Sequence, residues 1–253
     1  MSVSYGIVSG VSPVRESPVL QSTELNIIAI DTSTEACSAA LLRDDGQVFA
    51  EFEIVPRGHT RLLPVMMDAV VGAAKIPKSS LTHCAFCNGP GAFTGIRIAA
   101  ATAQGLAIGL GILLVPVSTL ATLAQVSLDR HALPDTLVAL DARMSEVYWA
   151  IYRRDNDGLA RLEGSEKLDK LGNLLLEALP AGGVGHGWKA ILENSSAASL
   201  NRNDMVIDTE LLPDAKSLLK LAQQAVIEGR VVKPEDIQIN YLRNQVAVKP
   251  RKL

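Results

Sequence analysis

The stretch "NIIAIDTSTEACSAALLRDDG", Asn26 to Gly46, has an echo further along the chain in "TLVALDARMSEVYWAIYRRDNDG", Thr136 to Gly158. Each opens with an apolar run that ends in Asp (Asp31, Asp141). Each continues with a Glu (Glu35, Glu146) and a second apolar run. Each closes with Arg, acidic residues and Gly (Arg43 to Gly46, Arg154 to Gly158), with one extra residue in the second turn. Short apolar runs bounded by turn residues predict strands. The distance between the copies is too long for a solenoid repeat, so the echo predicts two related lobes in tandem.

Working outward, "QVFAEFEI" reads as a third strand. A helix is expected from about Arg57 to Ala74, then a strand at "CAFCN", a helix from Thr94 to Leu110, a strand at "ILLVPV" and a helix from Ser118. Three strands followed by alternating helix and strand predict an α/β sheet carrying an antiparallel hairpin. The lobe boundary falls near Leu128 to Thr136, giving an N-terminal lobe at 26–128 and a C-terminal lobe at 129–253. In the second lobe a helix is expected around Leu168 to Leu179, a strand at "GGVGHG", a helix from Asp214 to Glu228 and a basic tail, "NYLRNQVAVKPRKL". Residues 1–25 lack a basic start and a continuous apolar core, so they do not read as a signal peptide. Their composition reads as a disordered extension or an upstream start.

Composition narrows the function classes. The chain has 253 residues, 48% of them hydrophobic, and carries a net charge of −3. No basic stripe is visible and aromatics make up 4%, which argues against direct nucleic-acid binding by this chain. Three cysteines, Cys37, Cys84 and Cys87, in apolar runs fit a reduced setting and no disulfide framework. Ile96 to Val117 is nearly all apolar, but Arg97, Gln104, Gly109 and Gly111 interrupt it; a core helix followed by a buried strand is expected rather than a membrane span.

Several constellations are candidates for chemistry. Cys84-Ala-Phe-Cys87 lacks a second pair for a zinc site, and on a strand the two sulfurs point to opposite faces, so both are expected in the core. "NGPGAFTG", Asn88 to Gly95, has glycines after a strand and before a helix, but no Lys follows the last Gly as a phosphate loop requires. A tight turn with a close-packed helix behind it is the stronger reading there, with Thr94 as a plausible N-cap. Asp31-Thr32-Ser33 and Asp141, with the glycine-rich "GGVGHGW" around Gly185, would face each other as a half-degraded magnesium–nucleotide cleft; for Asp141, simple turn chemistry stands equally open. His59, His83, His131 and His186 lack local pairing and read as structural or surface. "HTRLLPVMMDAVVGAA" is apolar nearly all round, and "TGIRIAAATAQGLAIGL" carries small residues at Gly95, Ala99, Ala103 and Ala107. That surface exceeds what one sheet can cover and predicts a helix-face partner or a second copy, through His59, Leu62, Leu63, Met66, Met67, Val70, Gly95, Ile98, Ala99 and Thr102.

Taken together, "IIAIDTSTEACSAAL", "NGPGAFTGIRIAAATAQGLAIG", "VPVSTLATLAQ", "LDARMSEVYWAIY" and "YLRNQVAV" resemble the TsaB (YeaZ) family of bacterial tRNA threonylcarbamoyladenosine biosynthesis proteins, in order from about Asn26 to Lys249. The resemblance implies the actin-like, sugar kinase and Hsp70-type ATPase fold, with two RNase H-like lobes around a cleft. It implies a non-catalytic subunit, located in the cytoplasm, that supports the catalytic paralogue TsaD together with the ATPase TsaE. It implies a homodimer when the chain is alone, contact with tRNA only through the complex, and no membrane. It also implies that the Gly-Pro-Gly turn starts an interface helix. In the paralogue a Pro-Val precedes the metal-holding histidines; here Thr119 and Leu123 follow Pro116-Val117 at those positions, so no metal or catalytic residue is expected. No cofactor is expected on this chain, with ATP and magnesium on the partners. The alternative is an autonomous ATPase or glycoprotease-like hydrolase using Asp31 and Asp141.

Overall fold

The structure is a computed structural model, and it describes residues 25–174, 180–193 and 205–243. The expected extension at 1–25 lies outside these residues except for Leu25, and most of the basic tail lies outside them too.

The first sheet is built from β1 (Ile27–Asp31), β2 (Ala36–Leu42), β3 (Val48–Ile54), β4 (His83–Cys87) and β5 (Leu113–Val117), in the order β3-β2-β1-β4-β5. The second is built from β6 (Asp135–Arg143), β7 (Glu146–Arg154), β8 (Ala160–Lys170), β9 (Gly182–Val184) and β10 (Val206–Asp208), in the order β8-β7-β6-β9-β10. The two orders are the same. In each, the first strand pairs antiparallel with the second and parallel with the fourth. Ile28 lies opposite Leu41 and beside Cys84; Val138 lies opposite Ala150 and beside Val184. The internal echo is therefore a duplicated sheet, and the fold is the expected two-lobed α/β architecture.

Helices α1 (His59–Ala74) and α2 (Phe93–Leu110) cover one face of the first sheet. Leu63, Met66, Val70, Ala99 and Ala103 pack there on Ile28, Ile30 and Leu41. Fully burying one such large side chain stabilises the fold by about 1.5–3 kcal/mol. Cys84 lies in this core and Cys87 in the one on the opposite face, as strand alternation requires. α2 ends at Gly111, which takes a left-handed φ of 68° as a C-cap. The apolar stretch from Ile96 to Val117 is thus a helix, a turn and the strand β5. α2 is the one helix among the described residues long and apolar enough to cross a membrane; here Ala99, Ala103 and Ala107 are fully buried against the sheet.

The helices do not respect the expected lobe boundary. α3 (Thr119–His131) precedes it, yet packs Leu120 and Leu123 against Val138 and Leu140 of the second sheet. α5 (Ala215–Ile227) follows it, yet packs Leu218 and Ala222 on Ile27 and Ala29 of the first. The fourth face, on the second sheet, is covered by Trp188 and Ile191 of α4 (Gly187–Glu193). Ser118 caps α3, accepting from the amides of Leu120 and Ala121; Asp214 caps α5, accepting from that of Ser217.

A helix over Leu168 to Leu179 is not found. Leu168 belongs to β8, a short 3₁₀ turn takes Leu171–Asn173, and 175–179 lie outside the described residues. The described leucines of that stretch fall on three different pieces of backbone: Leu168 on the edge strand β8, Leu171 in the 3₁₀ turn and Leu174 just after it. The pairing of β8 with β7 is interrupted by a bulge between Trp149 and Ile151.

Candidate functional site

Two regions hold the expected site residues: the turn between the lobes and the outer helical face. At the first, β1 ends in Asp31, whose side chain accepts from the Ser33 amide at 2.9 Å. The start of α2 descends on the turn that follows. The Ala92 amide donates to the Ser33 carbonyl at 2.8 Å, and the Thr32 hydroxyl donates to the Gly95 carbonyl at 2.7 Å. Glycine is required here by contact. A side chain at Gly91 would strike the Ser33 carbonyl, and one at Gly95 the Thr32 carbonyl. The "NGPGAFTG" segment is therefore a close-packed turn, and the place where an anion would lie is filled by the Thr32-Ser33 backbone. The N-cap position falls to Ala92 and makes no side-chain cap; Thr94 lies inside the first turn, exposed.

Asp31, Thr32 and Ser33 are all 0% exposed. Burial pushes the Asp31 carboxyl up to about 6. It pushes the Cys84 thiol up to about 12 and raises that of Cys87 well above its ordinary value, with the nearby Asp31 charge acting in the same direction on Cys87. Neither thiol is a reactive thiolate.

Asp141 is placed differently. It lines an interlobe cavity of about 680 Å³, together with Glu35, Glu146, His186 and Lys189. Its carboxylate accepts from the Arg143 amide at 2.7 Å and pairs with the Arg143 guanidinium at 3.0 Å. Its own amide donates to His186 Nδ1 at 3.0 Å, and burial holds the His186 ring below its usual pKa. Gly185 (φ 96°) is packed under Ala139, where a side chain would meet the Ala139 carbonyl. Gly183 lies against the Trp188 ring, whose Nε1 donates to the Leu137 carbonyl at 3.0 Å. The glycine-rich segment thus seats a tryptophan rather than presenting an open adenine wall. Of the expected cleft residues, Asp141 reaches the cavity; Thr32 and Ser33 are packed under the start of α2, and Asp31 is buried on the other sheet face, beside Cys87 and Asp214 at the start of α5.

On the helical face, the residues expected to meet a partner divide. Leu63, Met66, Met67, Val70, Gly95 and Ala99 are buried in the chain's own core, and the His59 ring is buried with Nε2 at 3.2 Å from the Ala36 carbonyl. Leu62, Ile98 and Thr102 are half-buried. The expectation that Met66 and Ala99 point outward is corrected: they are the inward face. The outer face is Val65 (61% exposed), Phe93 (53%) and Ile108 (67%), with Arg97 and Ala101 between them. Sequence reading passed over a further cluster. Arg97 stacks on Phe93 with its guanidinium carbon 3.5 Å from the ring centre, and its Nε donates to the Tyr241 hydroxyl at 2.8 Å. Phe93 and Arg97 are four residues apart on one helix, a spacing that places them together; Tyr241 arrives from the far end of the chain.

Among the described residues no group of three His, Cys, Asp or Glu side chains is placed to hold a metal ion. Thr119 and Leu123 are both fully buried.

Residues 52–242 match the family described as "TsaD: tRNA N6-adenosine threonylcarbamoyltransferase". The chain is 40% identical over 233 residues to the Escherichia coli tRNA threonylcarbamoyladenosine biosynthesis protein TsaB, covering 89% of this chain and 97% of that protein. It is 32% identical to the Haemophilus influenzae TsaB, over 89% of this chain and 96% of that one. A Pseudomonas aeruginosa crystal structure, described as similar to peptidase YEAZ, superposes with a TM-score of 0.80 at 37% identity, over 87% of this chain and all of that one. A shared duplicated sheet, relatives matched along nearly their whole length and one matching family lead to a single conclusion: this chain belongs to the TsaB (YeaZ) family of tRNA threonylcarbamoyladenosine biosynthesis proteins.

Proposed function

We propose that this chain is the non-catalytic scaffold subunit in the threonylcarbamoyl modification of the adenosine beside the anticodon, in tRNAs that read codons beginning with A. In this reading it binds and supports the catalytic paralogue TsaD, with the ATPase TsaE, in the cytoplasm. It needs no cofactor of its own, and ATP and magnesium are used on the partner subunits. The names of its relatives support the pathway. The observation that carries the accessory role is the start of α3. Thr119 and Leu123 stand where the resemblance places metal-binding histidines, and both are fully buried, Leu123 in the apolar core of the second lobe and Thr119 beside Cys87. A threonine and a leucine offer no ligand pair for a catalytic metal. An autonomous ATPase using Asp31 and Asp141 is disfavoured, because Asp31 is fully buried beside the start of α5 and, of the two, Asp141 meets the cavity.

The outer side of α1 and α2, at Val65, Phe93, Arg97, Ala101 and Ile108, is the proposed partner face, used by TsaD and, in its absence, by a second copy. An isolated two-fold contact through it would be isologous. The test is reconstitution: tRNA modification should require this chain together with TsaD and TsaE, while the chain alone with ATP and magnesium should turn over neither nucleotide nor tRNA. Turnover by the purified chain that is abolished by Asp141→Asn would overturn the scaffold reading.

A further inference from the structure

The last described residues cross from one lobe to the other. Val232 pairs with Leu114 at the edge of the first sheet, and the Pro234 carbonyl accepts from Gln104 of α2. Ile237 and Ile239 pack on the first core beside α2. The Asn240 amide donates to the Asn88 carbonyl at 2.8 Å, just before the glycine turn. From there the contacts alternate between lobes. Asn240 Nδ2 donates to Glu166 of β8 at 2.8 Å, and the same carboxylate accepts from Tyr152 and from Ser118. Tyr241 turns back to Arg97 of α2. Arg243 reaches the β6–β7 turn, pairing with Glu146 at 2.6 Å and donating to the Ala142 carbonyl at 2.9 Å.

That turn is strained. Arg143, Met144 and Ser145 have φ of 64°, 59° and 58°, three consecutive left-handed residues with no glycine among them. Arg143, Ser145 and Glu146 also line the interlobe cavity. One residue, Leu242, therefore separates a contact on the outer face of α2 from a contact that pins a strained cavity wall.

We propose that residues 237–243 form a mechanical strap that couples the outer face of α2, through Arg97 and Tyr241, to the β6–β7 turn and the interlobe cavity. Engagement of Arg97 and Tyr241 holds Arg243 on Glu146 and Ala142, and the turn stays in its strained shape. Release of that end loosens Arg243 and lets the turn relax. Because such coupling is reciprocal, whatever fills the cavity also alters the α2 face. The coupling rests on the partner reading only for what would cover that face, and it is tested on the isolated full chain.

The measurement is amide hydrogen exchange of the segment Asp141 to Val147, followed by mass spectrometry in the full chain. Tyr241→Phe keeps the ring and loses the bond from Arg97; Tyr241→Ala loses both. Loss of one exposed contact of this kind should speed exchange in the turn about two- to fivefold for Tyr241→Phe, and about five- to tenfold for Tyr241→Ala. Arg243→Ala should match or exceed the larger effect, and its combination with Tyr241→Ala should add little more. The amides of β1 and β4 should keep wild-type rates in all of them. Unchanged exchange at Asp141 to Val147 in both Tyr241 variants overturns the strap, as does acceleration that spreads equally to β1 and β4. Full additivity of Tyr241→Ala and Arg243→Ala overturns it as well, since the two ends would then act independently.

Discussion

The two lobes share one strand order and differ in where a glycine-rich helix start lands. In the first lobe the start of α2 comes down on the turn after Asp31, close enough that Gly91 and Gly95 touch the carbonyls of Ser33 and Thr32. In the second, the start of α4 comes down one turn earlier, where Gly185 and Gly187 touch β6 at Ala139 and Leu140. The equivalent aspartates meet opposite fates. Asp31 is sealed from water, while Asp141 keeps an arginine partner and a place on the cavity wall. A duplicated backbone does not preserve a duplicated site: the first aspartate is buried against Cys87 and the start of α5, a helix from beyond the second sheet, and the second stays on the cavity wall.

The largest test of this contrast is Gly95→Ala. The added methyl overlaps a backbone carbonyl that cannot swing away, so denaturant unfolding should show a loss of about 3 kcal/mol or more. Gly105→Ala, on the same helix with open space around it, should instead stabilise by about 0.5–1 kcal/mol through helix propensity. If both changes prove harmless, the start of α2 is not close-packed on the Thr32-Ser33 backbone.

Next comes the pair of aspartates. Asp31 is fully buried with its carboxyl raised from 3.8 to about 6 by burial. A raised acid stabilises the fold while it is protonated, so its contribution is present in full below about pH 4 and is lost as pH rises through about 6. The difference of about two units corresponds to about 3 kcal/mol. The stability of Asp31→Asn minus that of the wild type should therefore rise by about this amount between pH 4 and pH 7.5. Asp141→Asn, at a partly exposed ion pair, should shift stability by at most about 1 kcal/mol in the destabilising direction at neutral pH. A flat difference curve for Asp31→Asn would show that the carboxyl is hydrated.

A third test separates the two sides of the first lobe's helices. Val65→Asp and Ile108→Asp place charge on the outer face and should fold with stability within about 0.5 kcal/mol of wild type. In the proposed partner contact each would weaken association by about 2 kcal/mol, roughly 30-fold in Kd, seen by sedimentation and by TsaD capture. Met66→Asp, on the inner face, should fail to fold. Leu162→Glu, on an exposed strand of the second lobe, should change neither property. Wild-type association by the outer-face variants would move the interface elsewhere.

What the sequence revealed and what it hid follow from range. The leading strands of both lobes were legible because short, continuously apolar runs such as Ile27–Asp31 and Leu137–Asp141, closed by turn residues, are local. The duplication was legible because the two runs end alike. The crossing of α3 and α5 to the opposite sheets was not, since an amphipathic helix records that it has a buried face but not which sheet that face meets. The direction of α1 was hidden for a related reason: with Leu62, Leu63, Val65, Met66 and Met67 in succession, apolar character does not separate Met66 from Val65. β8 went unread because Arg161, Glu163, Lys167 and Lys170 make an edge strand look like a loop. The packing of α2 on Thr32 and Ser33 was partly visible in the glycines at 91 and 95, which signal close backbone approach without saying to what, while the burial of Asp31 beside α5, far along the chain, was not.

The smallest effect concerns what joins the lobes. Arg97 lies over Phe93 and bonds Tyr241, all three exposed, near the N-terminal end of α2, where the chain segment leaves that helix for the second lobe. An exposed cation–π contact with one hydrogen bond contributes about 0.5–1 kcal/mol. A double-mutant cycle of Arg97→Ala and Tyr241→Ala should return a coupling energy of that size in urea unfolding. The Arg243–Glu146 pair, partly buried at the far end of the same segment, should return a similar or slightly larger one. If the two cycles are independent of each other, the segment merely lies across both lobes. If removing Arg243 lowers the coupling between Arg97 and Tyr241, then the open second lobe and the sealed first lobe are held in register by these seven residues. The shape of the turn that follows Asp141, and with it the open side of the contrast, then depends on that join.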